Sequence, residues 1–174
     1  MRPPTSGEKA AQVVIVMGVA GSGKTTVGTA LAVALGWRFV DADDHHSPAS
    51  VAKMARGEPL DDADRRPWLD DLRAIIEAAL ASGDGLVLAC SALKAGYRAR
   101  LAPAGAGGRI RFIYLAGTAE LFHARLAQRA GHFMKAAMLD SQLATLEAPT
   151  DALEVDAALP IATIVLRIRT ALEL

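Results

Sequence analysis

One segment constrains the fold of this chain more than any other: a short apolar run, a glycine-rich turn and an alanine-rich stretch follow one another directly. The run is VVIVM, Val13 to Met17, and the turn is GVAGSGKT, Gly18 to Thr25. Consecutive large apolar side chains are typical of a strand buried on both faces, as in a parallel sheet. The segment therefore predicts a strand, a tight turn and a helix from Lys24 to Leu35.

The turn satisfies the pattern G-x-x-x-x-G-K-[ST] in full. Its glycines let successive backbone N–H groups point inward at phosphate oxygens, and the following helix adds the positive end of its dipole. Lys24 supplies a charge for the β- and γ-phosphates, and the Thr25 hydroxyl can ligate Mg²⁺. The alternative is a turn that only joins strand to helix, but the buried strand before it and the helix after it favour a triphosphate site. That predicted site consists of Gly18, Val19, Ala20, Gly21, Ser22, Gly23, Lys24, Thr25 and Thr26.

Short apolar runs alternate with longer helical stretches along the rest of the chain. Further strands are expected at Arg38–Val40, Leu86–Ala89, Arg111–Leu115 and Leu153–Asp156. Further helices are expected at Pro48–Arg56, Ala63–Ala81, Ala95–Leu101, Thr118–Arg129, Ala136–Glu147 and Pro160–Leu172. This alternation favours an α/β sandwich with right-handed crossovers, in which ligands bind at the carboxyl ends of the strands.

The composition narrows the function classes. The 174 residues fit one domain, expected from residue 13 to 174 after a mobile tail over residues 1–12. Nineteen basic residues balance nineteen acidic ones, and the net charge of +0 argues against a broad basic face for nucleic acid or for an anionic membrane. Cys90, the one cysteine, excludes an internal disulfide framework and a cysteine-based zinc site and favours a cytoplasmic protein. We expect it to be a small buried hydrophobe.

The second expected strand runs into an acidic segment, DADDHH, Asp41 to His46. In a parallel sheet it emerges beside the phosphate loop, where Asp41 can hold a magnesium-bound water and Asp43 can accept a proton from an attacking hydroxyl. The alternative is a solvated acidic turn, which we prefer for Asp44. Adjacent histidines in a strand or loop point apart, so His45 and His46 are not expected to bind a transition metal. A hydrogen bond from one of them to a polyol or phosphate is the better prediction.

Five segments together resemble the gluconokinase family of small P-loop kinases, within a match from Val13 to about Pro149. They are GVAGSGKT, DADDHH, KMARGEPLDDADRRPWL (Lys53 to Leu69), CSALKAGYR (Cys90 to Arg98) and RAGHFMKAAMLDSQLATLE (Arg129 to Glu147). The resemblance implies that ATP, with Mg²⁺, phosphorylates the terminal primary hydroxyl of D-gluconate. One departure is that the family reads His-Pro, with Asn a few residues on, where this chain has His46-Ser47-Pro48 and Ser50.

The resemblance also carries expectations about architecture. It implies a three-layer P-loop kinase sandwich, with five parallel strands and helices on both faces. It further implies a substrate-binding insertion at about 47–69, a short mobile lid at about 129–136, and a homodimer. Gly131 would give the lid the freedom to close.

Several basic residues of these segments become candidate ligand contacts. Lys53 and Arg65 are expected to bind the gluconate carboxylate, since a guanidinium fork matches a carboxylate. Arg125 and Arg129 would stabilise transition-state charge as the lid closes, although an exposed helix face is the alternative. The remaining substrate candidates are His46, Ser91, Lys94, Arg98 and His132, and for Arg98 an ion pair is equally compatible with the sequence.

Other interpretations of the same sequence are weaker. Shikimate kinases carry three glycines where this chain has CSALK, and the Lys53–Leu69 segment looks unlike the base-binding arm of a monophosphate kinase. A nucleotide-binding module without turnover would be expected to lack Lys24, Asp43 or the lid arginines, yet all are present. Arg56 and Arg66 are expected on a solvated helix face, and Trp68 in core packing rather than in catalysis.

Overall fold

The computed structural model describes residues 12–129 and 132–174, with residues 132–135 described by their backbone alone. The strands are β1 Val13–Met17, β2 Arg38–Asp41, β3 Leu86–Ala89, β4 Ile110–Ala116 and β5 Leu153–Asp156. They form one parallel sheet in the order β2-β3-β1-β4-β5. The predicted five-stranded parallel sheet is confirmed, and each observed strand end lies within one residue of its predicted position.

The helices are α1 Lys24–Leu35, α2 Pro48–Ala55, α3 Asp62–Ser82, α4 Ala95–Leu101, α5 Ala119–Ala127, α6 His132–Thr145 and α7 Ile161–Leu172. The prediction for α6 was wrong at its start, because the helix begins at His132 and not at Ala136. No proline or glycine lies between these two positions, so nothing in the sequence stops the helix from extending back. The prediction for α5 included Thr118, which is instead its N-cap, with the hydroxyl accepting the Leu121 N–H.

Helices cover both faces of the sheet, which confirms the three-layer sandwich. Because alternate strand residues point to opposite faces, β1 places Val14 and Val16 in one core and Val13, Ile15 and Met17 in the other. The first core packs against α1, α5, α6 and α7, and the second against α3 and α4. All five β1 side chains are fully buried, so the central strand is a fixed support for the loop that follows it.

Two short 3₁₀ turns, Ala42–His45 and Gly107–Arg109, were not predicted. The first matters for function, since it directly follows β2 and contains Asp43. None of the helices in the part of the chain that the structure describes is long and apolar enough to cross a membrane.

Candidate active site

The phosphate loop joins β1 to α1 at the carboxyl edge of the sheet, as predicted. Gly21 has a φ of +80°, and a Cβ there would lie 2.9 Å from the Phe122 carbonyl oxygen. Gly23 has a φ of +94° and is the N-cap of α1. Both positions demand glycine, because other residues rarely adopt these backbone angles. The first N–H groups of α1, left free by the helix, therefore open onto the loop.

Lys24 is the cation at the centre of this loop. Its Nζ donates to the Val19 carbonyl oxygen at 3.0 Å, so the side chain folds back across the turn. Desolvation by burial lowers the pKa of Lys24, while the nearby Asp43 and Asp41 carboxylates act in the opposite direction. The ammonium therefore lies in a poorly solvated position, where its charge interacts more strongly with a phosphate than it would in water.

Thr25 and Asp41 lie together beside the loop. The Thr25 hydroxyl donates to Asp41 Oδ2 at 2.7 Å, which joins the start of α1 to the end of β2. A hydroxyl and a carboxylate are hard oxygen ligands of the kind that Mg²⁺ prefers, so the donor set fits this ion. No cluster of three or more His, Cys, Asp or Glu side chains among the described residues could hold a metal by itself. Magnesium here would thus depend on the nucleotide's phosphates for further ligands.

Asp43 lies two residues after Asp41, in the 3₁₀ turn that follows β2. Its backbone N–H donates to Asp41 Oδ1 at 3.0 Å, and its side chain is 80% exposed. Desolvation raises the pKa of Asp43 above its ordinary 3.8, Asp41 raises it further, and Lys24 lowers it. The carboxylate itself is open to solvent, so a hydroxyl group can reach it. Asp43 thus has the access and the environment of a proton acceptor.

His46 is held by Trp68. The two rings stack with centroids 4.4 Å apart and an angle of 13° between their planes. The His46 side chain is 7% exposed, its Nδ1 is buried without a hydrogen-bond partner among the described residues, and its Nε2 lies 3.9 Å from Asp43 Oδ1. Desolvation lowers the pKa of His46, so the neutral imidazole is favoured. Its Nε2 lies beside the Asp43 carboxylate.

Trp68 does more than the core packing expected of it. Its Nε1–H donates to the Ala42 carbonyl oxygen at 2.7 Å, and Ala42 lies between Asp41 and Asp43. One tryptophan from α3 therefore holds the backbone of the acidic turn with its edge and His46 with its face. The side chain is 4% exposed, so water does not compete for the hydrogen bond.

A cavity of about 550 Å³ lies between the start of α3, α4 and α6, with Arg65, Lys94 and Tyr97 in its lining. The Arg65 guanidinium carbon is 5.7 Å, and the Lys94 Nζ 5.4 Å, from the centre of the Tyr97 ring. Lys94 also pairs with Asp62 at 3.0 Å, and the Tyr97 hydroxyl donates to the same carboxylate. These residues bring two cations together in a cleft of the size that holds a small molecule.

The lining of this cavity includes Arg65 and Lys94 but not Lys53. The Lys53 Nζ contacts Asp64 Oδ2 at 2.6 Å, and Asp64 also forms a reciprocal capping box with Asp61 at the start of α3. Of the two predicted carboxylate contacts, the structure places only Arg65 in the cavity lining. A role for Lys53 in substrate binding stays a prediction.

Ser91 and Arg98 lie in and after the loop that follows β3. Ser91 is half-buried next to Cys90, and burial raises the pKa of the Cys90 thiol to about 12, which fits the inert role expected of it. Arg98 is 9% exposed, and its Nη1 donates to the carbonyl oxygens of Ala92 at 2.9 Å and Leu93 at 3.2 Å. Arg98 therefore stabilises the conformation of this loop from within the protein. A direct contact with substrate stays a prediction and is not what this geometry favours.

Arg125 and Arg129 approach the phosphate loop from α5 and its end. Arg125 donates to the carbonyl oxygens of Gly21 and Ser22, each at 3.4 Å, and to that of Ala157 at 2.6 Å. Arg129 is exposed, and its charge lies close enough to Lys24 to lower the pKa of that lysine. Both predicted arginines therefore border the site. The predictions for Gly131 and for the His132 side chain fall outside the described residues.

The comparisons with known proteins agree with this geometry. A family model described as an AAA domain matches residues 13–149. The chain is 51% identical over 138 residues to the gluconokinase of Gluconobacter oxydans, covering 79% of this chain and 76% of that protein. It is 47% identical over 153 residues to a probable gluconokinase of Mus musculus, covering 79% and 83%. The crystal structure of a gluconokinase from Sinorhizobium meliloti superposes with a TM-score of 0.81 at 40% identity, covering 95% of this chain and 94% of that one. The chain belongs to the AAA domain family and to the gluconokinase family.

The resemblance to gluconokinases is thus confirmed, but the sequence did not indicate several residues that contact the candidate site. Asp62 pairs with Lys94, Gln142 contacts Ala20, and Glu147 contacts Ala95. All three lie inside segments that carried the resemblance. Their position in those segments is the one feature of the sequence that could have indicated them, because no local pattern reveals a contact between residues that are distant in sequence.

The double contact of Trp68 predicts a catalytic effect of a conservative change in this protein. Trp68→Phe keeps an aromatic face for His46 but removes the N–H that holds Ala42. We expect kcat to fall about fivefold to tenfold, the effect of losing one hydrogen bond of roughly 1–1.5 kcal/mol. Steady-state kinetics with a urea unfolding curve would measure it.

Trp37→Phe is the matched control, because Trp37 makes no indole hydrogen bond within the described residues and packs over Gly85. We expect it to change stability but to leave kcat within about twofold of the original. Equal kcat values for the two variants would contradict a positioning role of Trp68.

Proposed function

We propose that this protein transfers the γ-phosphoryl group of ATP to the terminal primary hydroxyl of D-gluconate, giving 6-phospho-D-gluconate and ADP. The observation that carries the proposal is that a complete phosphate loop directly borders an accessible carboxylate, Asp43, whose pKa is raised. Membership of the gluconokinase family supports gluconate as the acceptor.

Each residue of the site has a distinct role in the proposed reaction. The gluconate hydroxyl oxygen attacks the γ-phosphorus in line, the bond from that phosphorus to the bridging oxygen breaks, and ADP leaves. Asp43 orients the hydroxyl and accepts its proton. Lys24, Arg125 and Arg129 offset the charge on the transferring group.

Mg²⁺ would be held by Thr25, with Asp41 fixing that hydroxyl and holding a bound water. When bound, the ion neutralises charge on the β- and γ-phosphates. The Thr25–Asp41 hydrogen bond of 2.7 Å keeps both oxygens in place before any nucleotide arrives.

Recognition of the gluconate carboxylate is proposed for Arg65, with Lys94 beside it. The Arg65 charge lowers the pKa of His46, so the cavity lies within electrostatic reach of the acidic turn. A carboxylate bound by Arg65 would thereby direct the other end of the sugar acid toward His46 and Asp43. The same proposal gives Lys53 a supporting contact with the carboxylate, and gives Ser91 and His132 supporting contacts with the hydroxyl groups.

Several wider properties are proposed with this activity. The balanced charge supports a small-molecule kinase without a nucleic-acid or membrane partner. The single cysteine supports a cytoplasmic location. We further propose one kinase domain over residues 13–174, an insertion at about 47–69 that binds substrate, a lid at about 129–136, and a homodimer.

An acceptor comparison tests the proposal. With purified protein and Mg·ATP, we expect ADP release to depend on gluconate and to stay near background with shikimate or with nucleoside monophosphates. A nucleotide-binding module without turnover would bind ATP with an affinity that is blind to gluconate. That pattern, or a preference for another acceptor, would overturn the proposed function.

A further inference from the structure

The far end of α6 contacts the phosphate loop through one side chain. The Oε1 of Gln142 accepts the backbone N–H of Ala20 at 2.7 Å, between residues 122 positions apart in sequence. This contact comes from outside the loop and its two flanking elements. It is partly buried, so water competes only in part for the N–H.

Besides Gln142, Arg125 of α5 also contacts the loop from outside, donating to the carbonyl oxygens of Gly21 and Ser22 at a longer 3.4 Å each. The Ser22 N–H and the Lys24 Nζ both donate to the Val19 carbonyl oxygen, at 3.2 and 3.0 Å. Those two bonds are internal to the loop and would move with it. The glycines on either side of the segment allow the backbone to adopt other conformations. A hydrogen bond to Ala20 from α6 therefore restrains the loop relative to the rest of the molecule.

A second contact ties the region just after α6 to the loop that follows β3. The Glu147 N–H donates to the Leu93 carbonyl oxygen at 2.9 Å, and Glu147 Oε2 accepts the Ala95 N–H at 2.7 Å. These two bonds bracket Lys94, which lines the cavity proposed for the sugar acid. Gln142 and Glu147 thus link one segment to both ligand loops.

We propose that Gln142 is a positioning residue that fixes the phosphate loop for ATP, and that Glu147 does the same for the loop carrying Lys94. Helix α6 and the residues after it then set the spacing between the two ligands. The assignment rests on the proposed function for the identity of the ligands. The two residues act on different sides of the reaction, because each holds a different loop.

The nucleotide arm compares Gln142→Met with Gln12→Met. Gln12 Nε2 also donates to a main-chain oxygen, that of Ala79, at 3.0 Å, but it precedes β1 at the opposite edge of the sheet. We expect Gln142→Met to raise the Kd of Mg·ATP about fivefold to tenfold and to speed hydrogen exchange at the Ala20 amide. Gln12→Met should leave both unchanged. An ATP Kd within twofold of the original, with unchanged Ala20 exchange, would overturn the role of Gln142.

The sugar-acid arm compares Glu147→Leu with Glu147→Gln. The leucine variant loses the acceptor for Ala95, and we expect the KM for gluconate to rise about fivefold or more while the ATP Kd stays within twofold. The glutamine variant keeps a carbonyl oxygen at the same place and should retain most of the original KM. A rise in the ATP Kd equal to the rise in the gluconate KM would contradict separate roles.

Two features keep the outcomes distinct. ATP binding and amide exchange need no gluconate, so they test Gln142 even if the original protein fails to phosphorylate gluconate. If Gln142→Met does not fold, Gln142→Glu takes its place, since a carboxylate oxygen can still accept the Ala20 N–H. Ala20 exchange as slow as in the original protein would support the proposal, and rapid exchange in that variant would overturn it.

Discussion

Lys24→Met lowers kcat about a hundredfold to a thousandfold, and the variant folds at least as stably as the original protein. The loss follows from the position of the ammonium, which lies folded over the phosphate loop with its Nζ 3.0 Å from the Val19 carbonyl oxygen. A charge held there in advance stabilises the transferring phosphoryl group without reorganisation at the moment of reaction. Methionine fills a similar volume and supplies no charge.

The stability of the Lys24→Met variant follows from the sign of the pKa shift. Desolvation lowers the pKa of Lys24 below its value of 10.5 in the unfolded chain. The protonated lysine therefore destabilises the folded state. This destabilisation is fully present below the lowered pKa, and it disappears as the pH rises from that pKa toward 10.5. At neutral pH the methionine variant escapes this penalty.

Measuring kcat, the ATP Kd and the melting temperature together checks this prediction. Lys24→Arg serves as the control because it keeps the charge in a bulkier group, and we expect it to retain more activity than the methionine variant. A kcat for Lys24→Met within tenfold of the original would contradict the role of Lys24. A melting temperature that falls along with activity would show that folding, rather than charge, was lost.

The sequence allowed the fold to be predicted because its signals are local. A strand buried on both faces needs an unbroken apolar run, and a phosphate loop needs glycines and a lysine at fixed spacing, so both can be recognised over a few residues. The start of α6 shows the limit of that reasoning. The segment His132–Lys135 contains nothing that forbids a helix, yet its composition does not stand out from that of a loop.

The partners of the site residues could not be predicted in the same way. The pattern identified Lys53 and Lys94 as cations near a substrate, but their pairing with Asp64 and Asp62 depends on how α3 begins and packs. The Arg98 side chain likewise points inward because it donates to the carbonyl oxygens of Ala92 and Leu93, and only the folded backbone brings these within hydrogen-bond distance. Residue type and spacing suggest chemistry, whereas tertiary packing decides which groups meet.

Replacing Asp43 tests the proposed proton acceptor. We expect Asp43→Asn to lower kcat by about a hundredfold to ten-thousandfold, because an amide cannot accept the proton of the attacking hydroxyl. The original enzyme should lose activity as the pH falls through the pKa of Asp43, since the protonated acid is no base. That pKa is raised above 3.8, so the acid limb lies at a higher pH than an ordinary aspartate would give. The pH profile of kcat measures both effects.

Asp44→Asn is the matched control, since the neighbouring carboxylate is exposed and takes no part in the proposed transfer. The Asp44 charge contributes to the raised pKa of Asp43, so removing it should shift the acid limb to lower pH while the plateau kcat is kept. In Lys24→Met, the acid limb of the activity that remains should shift to higher pH, because the Lys24 ammonium lowers the pKa of Asp43 in the original protein. An acid limb that persists unchanged in Asp43→Asn would assign the titrating group elsewhere. Loss of the limb in Asp43→Asn, together with shifts of opposite sign in the Asp44 and Lys24 variants, would identify the group as Asp43, since these two charges act on that carboxylate in opposite directions.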